Sequence, residues 1–82
     1  METFTLHITS PTGTTTQDIT WLEITTPTSN LTIQKGHAPL VCLLKPEHDL
    51  VYQDATGKEE RRLMYGGIVH VERDKVTILA EK

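Results

Sequence analysis

Four histidines, one cysteine and a scatter of carboxylates are the side chains through which this sequence could do chemistry. Imidazole and thiolate together make metal sites, but His7, His37, His48 and His70 follow no ligand spacing. The lone Cys42 sits inside the apolar run Leu40-Val41-Cys42-Leu43-Leu44. A Cys–His nucleophile pair fails for a related reason, because a thiol in apolar surroundings stays protonated and inert. Asp18, Glu23, Glu59, Glu60, Glu72 and Asp74 fall near turns or beside basic residues. They read as solvated surface charge rather than as a general acid–base pair. No glycine-rich, lysine-containing phosphate loop is written anywhere in the chain. The residues assign no catalytic group, no metal and no cofactor.

One segment carries more constraint than a plain connection needs. In Gln34-Lys35-Gly36-His37-Ala38-Pro39, Gly36 can take positive φ, while Pro39 fixes its own φ and pushes Ala38 toward an extended conformation. His37 is held between them. A rigid connection with an incidental histidine is one reading. A presented contact loop is the other, since a stiff loop loses less entropy when it docks.

The elements that would position these residues show a period of two. Phe4, Leu6 and Ile8 alternate with polar residues, as in a strand with one buried face. Ser10-Pro11-Thr12-Gly13 is turn chemistry. Ile19 and Trp21 keep one phase and Leu22 and Ile24 the other, so a bulge near Trp21-Leu22 is the simplest expectation and a strand covered on both sides the alternative. Trp21 is placed with Phe4 in core phase. Leu31 and Ile33 alternate again, and Leu40–Leu44, bounded by Pro39 and Pro46, reads as a strand covered on both faces. Further strand signals follow in Leu50-Val51-Tyr52, Lys58 to Tyr65, Ile68 to Val71 and Val76 to Ala80, separated by Asp54-Ala55-Thr56-Gly57, Gly66-Gly67 and Glu72-Arg73-Asp74-Lys75. The expectation is an all-β chain, a flattened two-sheet β-sandwich or barrel of about eight to ten short strands without helices.

Composition bounds what such a fold can do. A chain of 82 residues makes one domain, residues 1–82, and folding hides about 63% of its surface. A net charge of −3 gives no basic field for nucleic acid and disfavours anionic lipid. No apolar run approaches the roughly 18 residues of a membrane helix, and no secretory signal is visible. A soluble chain in a reducing compartment is expected.

The motifs together resemble a known family. Gly36-His37-Ala38-Pro39-Leu40, then Leu44-Lys45-Pro46, Gly66-Gly67-Ile68-Val69-His70-Val71 and Lys75-Val76-Thr77-Ile78-Leu79-Ala80 are similar to the epsilon subunit of F-type ATP synthases, called delta in mitochondria. The opening Phe4-Thr5-Leu6-His7-Ile8-Thr9-Ser10-Pro11 matches too, so the likeness is colinear over essentially the whole chain. It implies the epsilon-type β-sandwich domain without a C-terminal helical hairpin, acting as a non-catalytic rotor element of the central stalk. Such a subunit binds gamma and rests on the polar loops of the c-ring. It couples proton- or sodium-driven rotation to ATP synthesis. By position, the resemblance puts Ser10, His37, Ala38, Pro39 and Leu40 against gamma, and Asn30, Lys35 and His37 against the ring. It implies a peripheral place on the cytoplasmic face of the inner (cell) membrane, reached through protein contacts.

Three departures qualify the likeness. Relatives continue into two regulatory helices, in some species with a nucleotide site. The present residues stop where these would begin, which implies no nucleotide site and no helix-mediated inhibition if the chain is naturally short. Asn30 stands where relatives often carry an acid, and Lys35 where proline is common. Ile68 and His70 replace residues that are frequently Phe or Leu and Glu. The competing expectation is a free-standing β-sandwich that binds a protein or a sugar. It needs an exposed aromatic platform, for which only Phe4, Trp21, Tyr52 and Tyr65 are available.

Overall fold

A computed structural model describes residues 2–82 and contains eight strands and no helix among them. In chain order they are β1 (Phe4–Ser10), β2 (Gly13–Thr25), β3 (Asn30–Gln34), β4 (Leu40–Leu44), β5 (His48–Asp54), β6 (Glu59–Met64), β7 (Gly67–Val71) and β8 (Lys75–Ala80). Hydrogen bonds join them in the order β4-β7-β8-β1-β2-β5-β6, with β3 added beside β2. Every adjacent pair is antiparallel except β1 with β8, the first and last strands, which run parallel. The sheet curls on itself into a half-barrel or sandwich, 30 × 25 × 18 Å, as the alternating pattern requires.

All eight strands feed one core. Phe4, Leu6 and Ile8 from β1 meet Ile19, Leu22 and Ile24 of β2, Ile33 of β3 and Leu44 of β4. Leu50 and Tyr52 of β5, Met64 of β6, Val69 and Val71 of β7 and Val76 and Ile78 of β8 complete it. The apolar phase of Phe4, Leu6 and Ile8 is therefore read correctly from sequence, as is the Ser10–Gly13 turn that closes the β1–β2 hairpin.

Two expectations are corrected. The phase change in β2 lies between Ile19 and Trp21, where its pairing with β5 shifts by one residue. Thr20 is the extra residue, and its hydroxyl donates to Gln53 Oε1 at 2.6 Å, which holds the bulge in place. Trp21 is thereby turned out of the core and lies half-buried on the outer surface. The second correction concerns β4. It is an edge strand paired only with β7, and its core-facing residues are Leu40, Cys42 and Leu44. Val41 and Leu43 point outward and are 64% and 58% exposed, so the apolar run is covered on one face and not two.

Gly67 shows how closely β7 and β8 approach. Its φ is +150°, and a Cβ placed there would run into the backbone carbonyl of Leu79. Only glycine fits both conditions.

Candidate functional interface

Directly opposite residues on paired strands share a face, so the registers of β4, β7, β8 and β1 define rows across the outer surface. Leu43 pairs with Ile68, Ile68 with Leu79, and Leu79 with Thr9. Leu43, Ile68 and Leu79 form an unbroken apolar row, with Ile68 45% and Leu79 53% exposed. The adjoining row runs Val41, His70, Thr77, His7 and Thr16. The next carries Glu72, Lys75, Thr5 and Asp18, and Lys75 and His70 each lie 3.9 Å from a Glu72 carboxylate oxygen. Four large aliphatic side chains thus stand together in water on one sheet face. Scattered singly they would need no explanation, but as a contiguous patch they mark a contact surface.

The opposite outer surface is built differently. There Trp21 pairs with Gln34, Glu23 with Thr32 and Thr25 with Asn30. Arg61 lies 3.7 Å from both Asp49 and Glu59. This face is mostly polar and carries its own ion pairs, with Leu63, opposite Asp49, exposed among them. Two open recesses lie at one end of it. One, of about 320 Å³, is lined by Glu2, Thr20, Trp21, Gln34 and Lys35. The other, of about 220 Å³, is lined by Thr32, Gln34, Lys35, Gly36 and His37.

The loop between β3 and β4 is as constrained as its sequence suggests. Gly36 has φ +85° and donates its N–H to the Arg73 carbonyl at 2.7 Å, which ties the loop to the β7–β8 hairpin. The His37 N–H donates to Gln34 O at 3.1 Å, and its Nδ1 lies 2.7 Å from Ala38 O. A carbonyl can only accept, so Nδ1 carries the proton, and Nε2 is the ring nitrogen left for a partner. Leu40 follows as the first residue of β4.

Ser10 lies elsewhere. Leu40 shares a row with Val71, Val76 and Leu6, and Ser10 is four residues farther along β1 and three strands away. That is about 13 Å along the strands and about 14 Å across them. The Ser10 hydroxyl is also engaged within its own turn, donating to Gly13 O at 3.1 Å. Ser10 and the His37–Leu40 segment therefore sit at opposite corners of this part of the sheet, Leu40 and Ser10 both in the inward phase, while Val41, Leu43, Ile68 and Leu79 cover the outer side between them. Asn30 and Lys35 are likewise at opposite ends of β3, about 17 Å apart. Sequence reading missed the apolar row itself, although its strongest signal, an uninterrupted Leu-Val-Cys-Leu-Leu, was plain.

Electrostatic perturbations are few. Partial burial pushes the Cys42 thiol up. The Thr56 hydroxyl and the Lys58 amide hold the exposed Asp54 carboxyl below the ordinary carboxylate range. His7 and His70, the two histidines on the apolar face, are separated by Thr77, and His7 Nδ1 lies 2.9 Å from Thr16 Oγ1. Among the described residues, no three His, Cys, Asp or Glu side chains converge as a metal site would require. Phe4 and Tyr52 are buried while Trp21 and Tyr65 stand on separate elements, so the aromatic residues do not assemble into a sugar platform.

Comparison with known proteins matches residues 3–82 to a family model described as the ATP synthase, Delta/Epsilon chain, beta-sandwich domain. Among solved structures, a chain of the Euglena gracilis mitochondrial ATP synthase OSCP/F1/c-ring assembly superposes with a TM-score of 0.90 at 22% identity. The match covers 98% of this chain and 51% of that one. A chain of the Tetrahymena thermophila mitochondrial ATP synthase central stalk and c-ring superposes with a TM-score of 0.79 at 16% identity, covering 99% and 65%. The present chain spans about half of the first and somewhat under two thirds of the second.

Proposed function

The chain belongs to the ATP synthase delta/epsilon family through its β-sandwich domain, and from that premise we propose that it is a non-catalytic rotor element of the central stalk. In this reading it binds the gamma subunit and the c-ring and helps couple ion-driven rotation to ATP synthesis. It is held at the periphery of the membrane by protein contacts alone. The observation that carries the reading is the contiguous exposed row Leu43, Ile68 and Leu79 with Val41 beside it, on a sheet whose other outer surface is mostly polar and exposes Leu63 among ion pairs.

The division of surfaces follows from their chemistry. A specific protein contact buries roughly 800 Å² per partner around an apolar centre. The β4-β7-β8 face supplies that centre, rimmed by His70, His7, Glu72 and Lys75, and it is assigned to gamma. His37, Ala38, Pro39 and Leu40 border it on one side and Ser10 marks its far corner. The polar end of β3, with Lys35 and His37 and with Asn30 at the other end of the strand, is assigned to the polar loops of the ring. Asn30 offers those loops neutral hydrogen bonds, each about half as strong as a carboxylate would make.

A torque-bearing element must also be stiff. Here one hydrogen-bonded sheet encloses a single close-packed core, and such interiors yield little under load.

Co-expression with gamma and purification through a tag on gamma tests the proposal. The chain should co-purify in stoichiometric amount, and Ile68→Asp and Leu79→Asp, both at exposed positions, should remove it without changing its circular dichroism. A well-folded chain that ignores gamma, or a complex indifferent to both aspartates, would overturn the assignment.

A further inference from the structure

The apolar row on the outer face has a definite spacing, which any partner covering it has to match. Leu43, Ile68 and Leu79 stand opposite one another on β4, β7 and β8, and each is about half exposed. Directly opposed residues of antiparallel strands hold their Cβ atoms roughly 5 Å apart, so the row runs about 10 Å from end to end, across the strands. Past Leu79 it continues with Thr9, which ends the apolar stretch.

The row is also narrow. On β7, two residues beyond Ile68 in one direction, stands the polar His70, opposite Thr77. Two residues in the other direction is Gly66, whose outward side is covered by Glu81: the carboxyl lies 3.4 Å from where a Cβ would stand. The Glu81 N–H donates to Gly66 O at 3.2 Å and keeps that residue alongside. Polar groups therefore border the strip on both long sides, and only Val41, at the β4 end, widens it.

We propose that the part of gamma that covers this row is a single α-helix lying across β4, β7 and β8, an inference that rests on the docking reading above. Helix side chains at i, i+3 or i+4, and i+7 form one stripe about 10.5 Å long, which matches the row. Three same-face side chains of a strand, at i, i+2 and i+4, span about 13 Å and overshoot it. The width agrees as well. His70 and Gly66 are four residues apart on β7, about 13 Å, and a helix with its side chains is roughly 10–12 Å across. A second sheet stacked here needs an apolar area several rows deep, and it would press His70 and Glu81 into its core. The helix carries one further apolar residue above β4, where Val41 and Leu43 both point outward, and turns polar above Thr9.

Photo-cross-linking in the co-expressed complex with gamma tests this. A benzophenone amino acid replaces Leu43, Ile68 or Leu79, one at a time, and the captured residues are identified by mass spectrometry. The three capture sites should fall within one segment of gamma, in the order Leu43, Ile68, Leu79 or its reverse, each three or four residues from the next. Sites two residues apart, sites in separate segments, or capture of a second copy of this chain would overturn the helix while leaving gamma's co-purification as it stands. Gamma that co-purifies yet is captured from none of the three positions would overturn it too. A chain that does not co-purify with gamma at all would sink the docking reading, and the helix with it.

Discussion

Leu43 of β4 and Ile68 of β7 stand directly opposite each other with both side chains in water, although each belongs to a strand whose alternate residues enter the core. A cross-strand aliphatic pair of this kind stabilises the sheet modestly by itself. Its larger meaning is that two strands meet apolar demands on both sides, one satisfied by the chain's own core and the other left for something else to cover.

The loop at the border of that face should contribute to docking. Replacing His37 and Leu40 together with alanine should weaken association with gamma by more than about 1 kcal/mol, roughly fivefold or more in dissociation constant. Titration calorimetry against purified gamma measures this, and an unchanged constant would remove the loop from the contact.

Gly67→Ala should be among the most damaging single-methyl changes available. The added Cβ meets the Leu79 carbonyl, and the φ of +150° already excludes ordinary side chains. A loss of about 2–4 kcal/mol is expected, lowering the thermal midpoint by roughly 10 °C or more. Gly57→Ala is the control: its φ of +92° carries strain, but nothing lies within 4 Å of the new methyl, so it should cost less.

Thr20→Val should loosen the bulge by removing the donor to Gln53 Oε1 at 2.6 Å. About 1 kcal/mol of stability should go with it. Trp21, the single tryptophan, sits on the next residue, so a shift in its emission at temperatures below unfolding would report the local change.

The β5–β6 hairpin should weaken in acid. Asp54 accepts from the Thr56 hydroxyl at 2.6 Å, from the Thr56 N–H at 2.9 Å and from the Lys58 N–H at 3.0 Å, which lowers its pKa from 3.8. A carboxyl whose folded pKa is depressed adds stability above its unfolded pKa and loses that contribution as pH falls through the folded value. Amide exchange in the Asp54–Lys58 turn should therefore speed up below about pH 4, and Asp54→Asn should abolish that dependence.

Cys42 behaves in the reverse sense. Burial raises its thiol from 9.0, so the folded chain holds the proton while an unfolded one releases it. The contribution to stability is full below pH 9.0 and is lost as pH rises through the folded value. Alkylation of Cys42 at neutral pH should run slower in the native chain than in urea. Equal rates would contradict the burial.

How far the residues disclosed this arrangement depends on which physical rule was local. Phe4, Leu6 and Ile8 announce their face because strand alternation needs only neighbours in sequence. Gly36-His37-Ala38-Pro39 announces a stiff loop for the same reason. The bulge was legible only to within a residue or two, because its position is set by Thr20 reaching Gln53, 33 residues away. That small shift decides whether Trp21 is inside or outside. The run Leu40–Leu44 misleads in a different way. Five apolar residues look alike whether the chain buries both faces or reserves one for a partner, and only the sheet order puts β4 at an edge. The apolar row spans residues from Leu43 to Leu79 and exists only once β4, β7 and β8 are aligned.

The parallel ladder of β1 with β8 has a consequence for biogenesis. Thr5 is matched with Lys75 and Thr9 with Leu79, in the middle of the sheet rather than at its rim. A nascent polypeptide emerging from the ribosome cannot complete this central seam until β8, far along the chain from β1, has also emerged. Earlier portions leave the exit tunnel with Leu6 and Ile8 lacking their permanent neighbours. During that interval the growing chain relies on chaperones or on speed to avoid sticking.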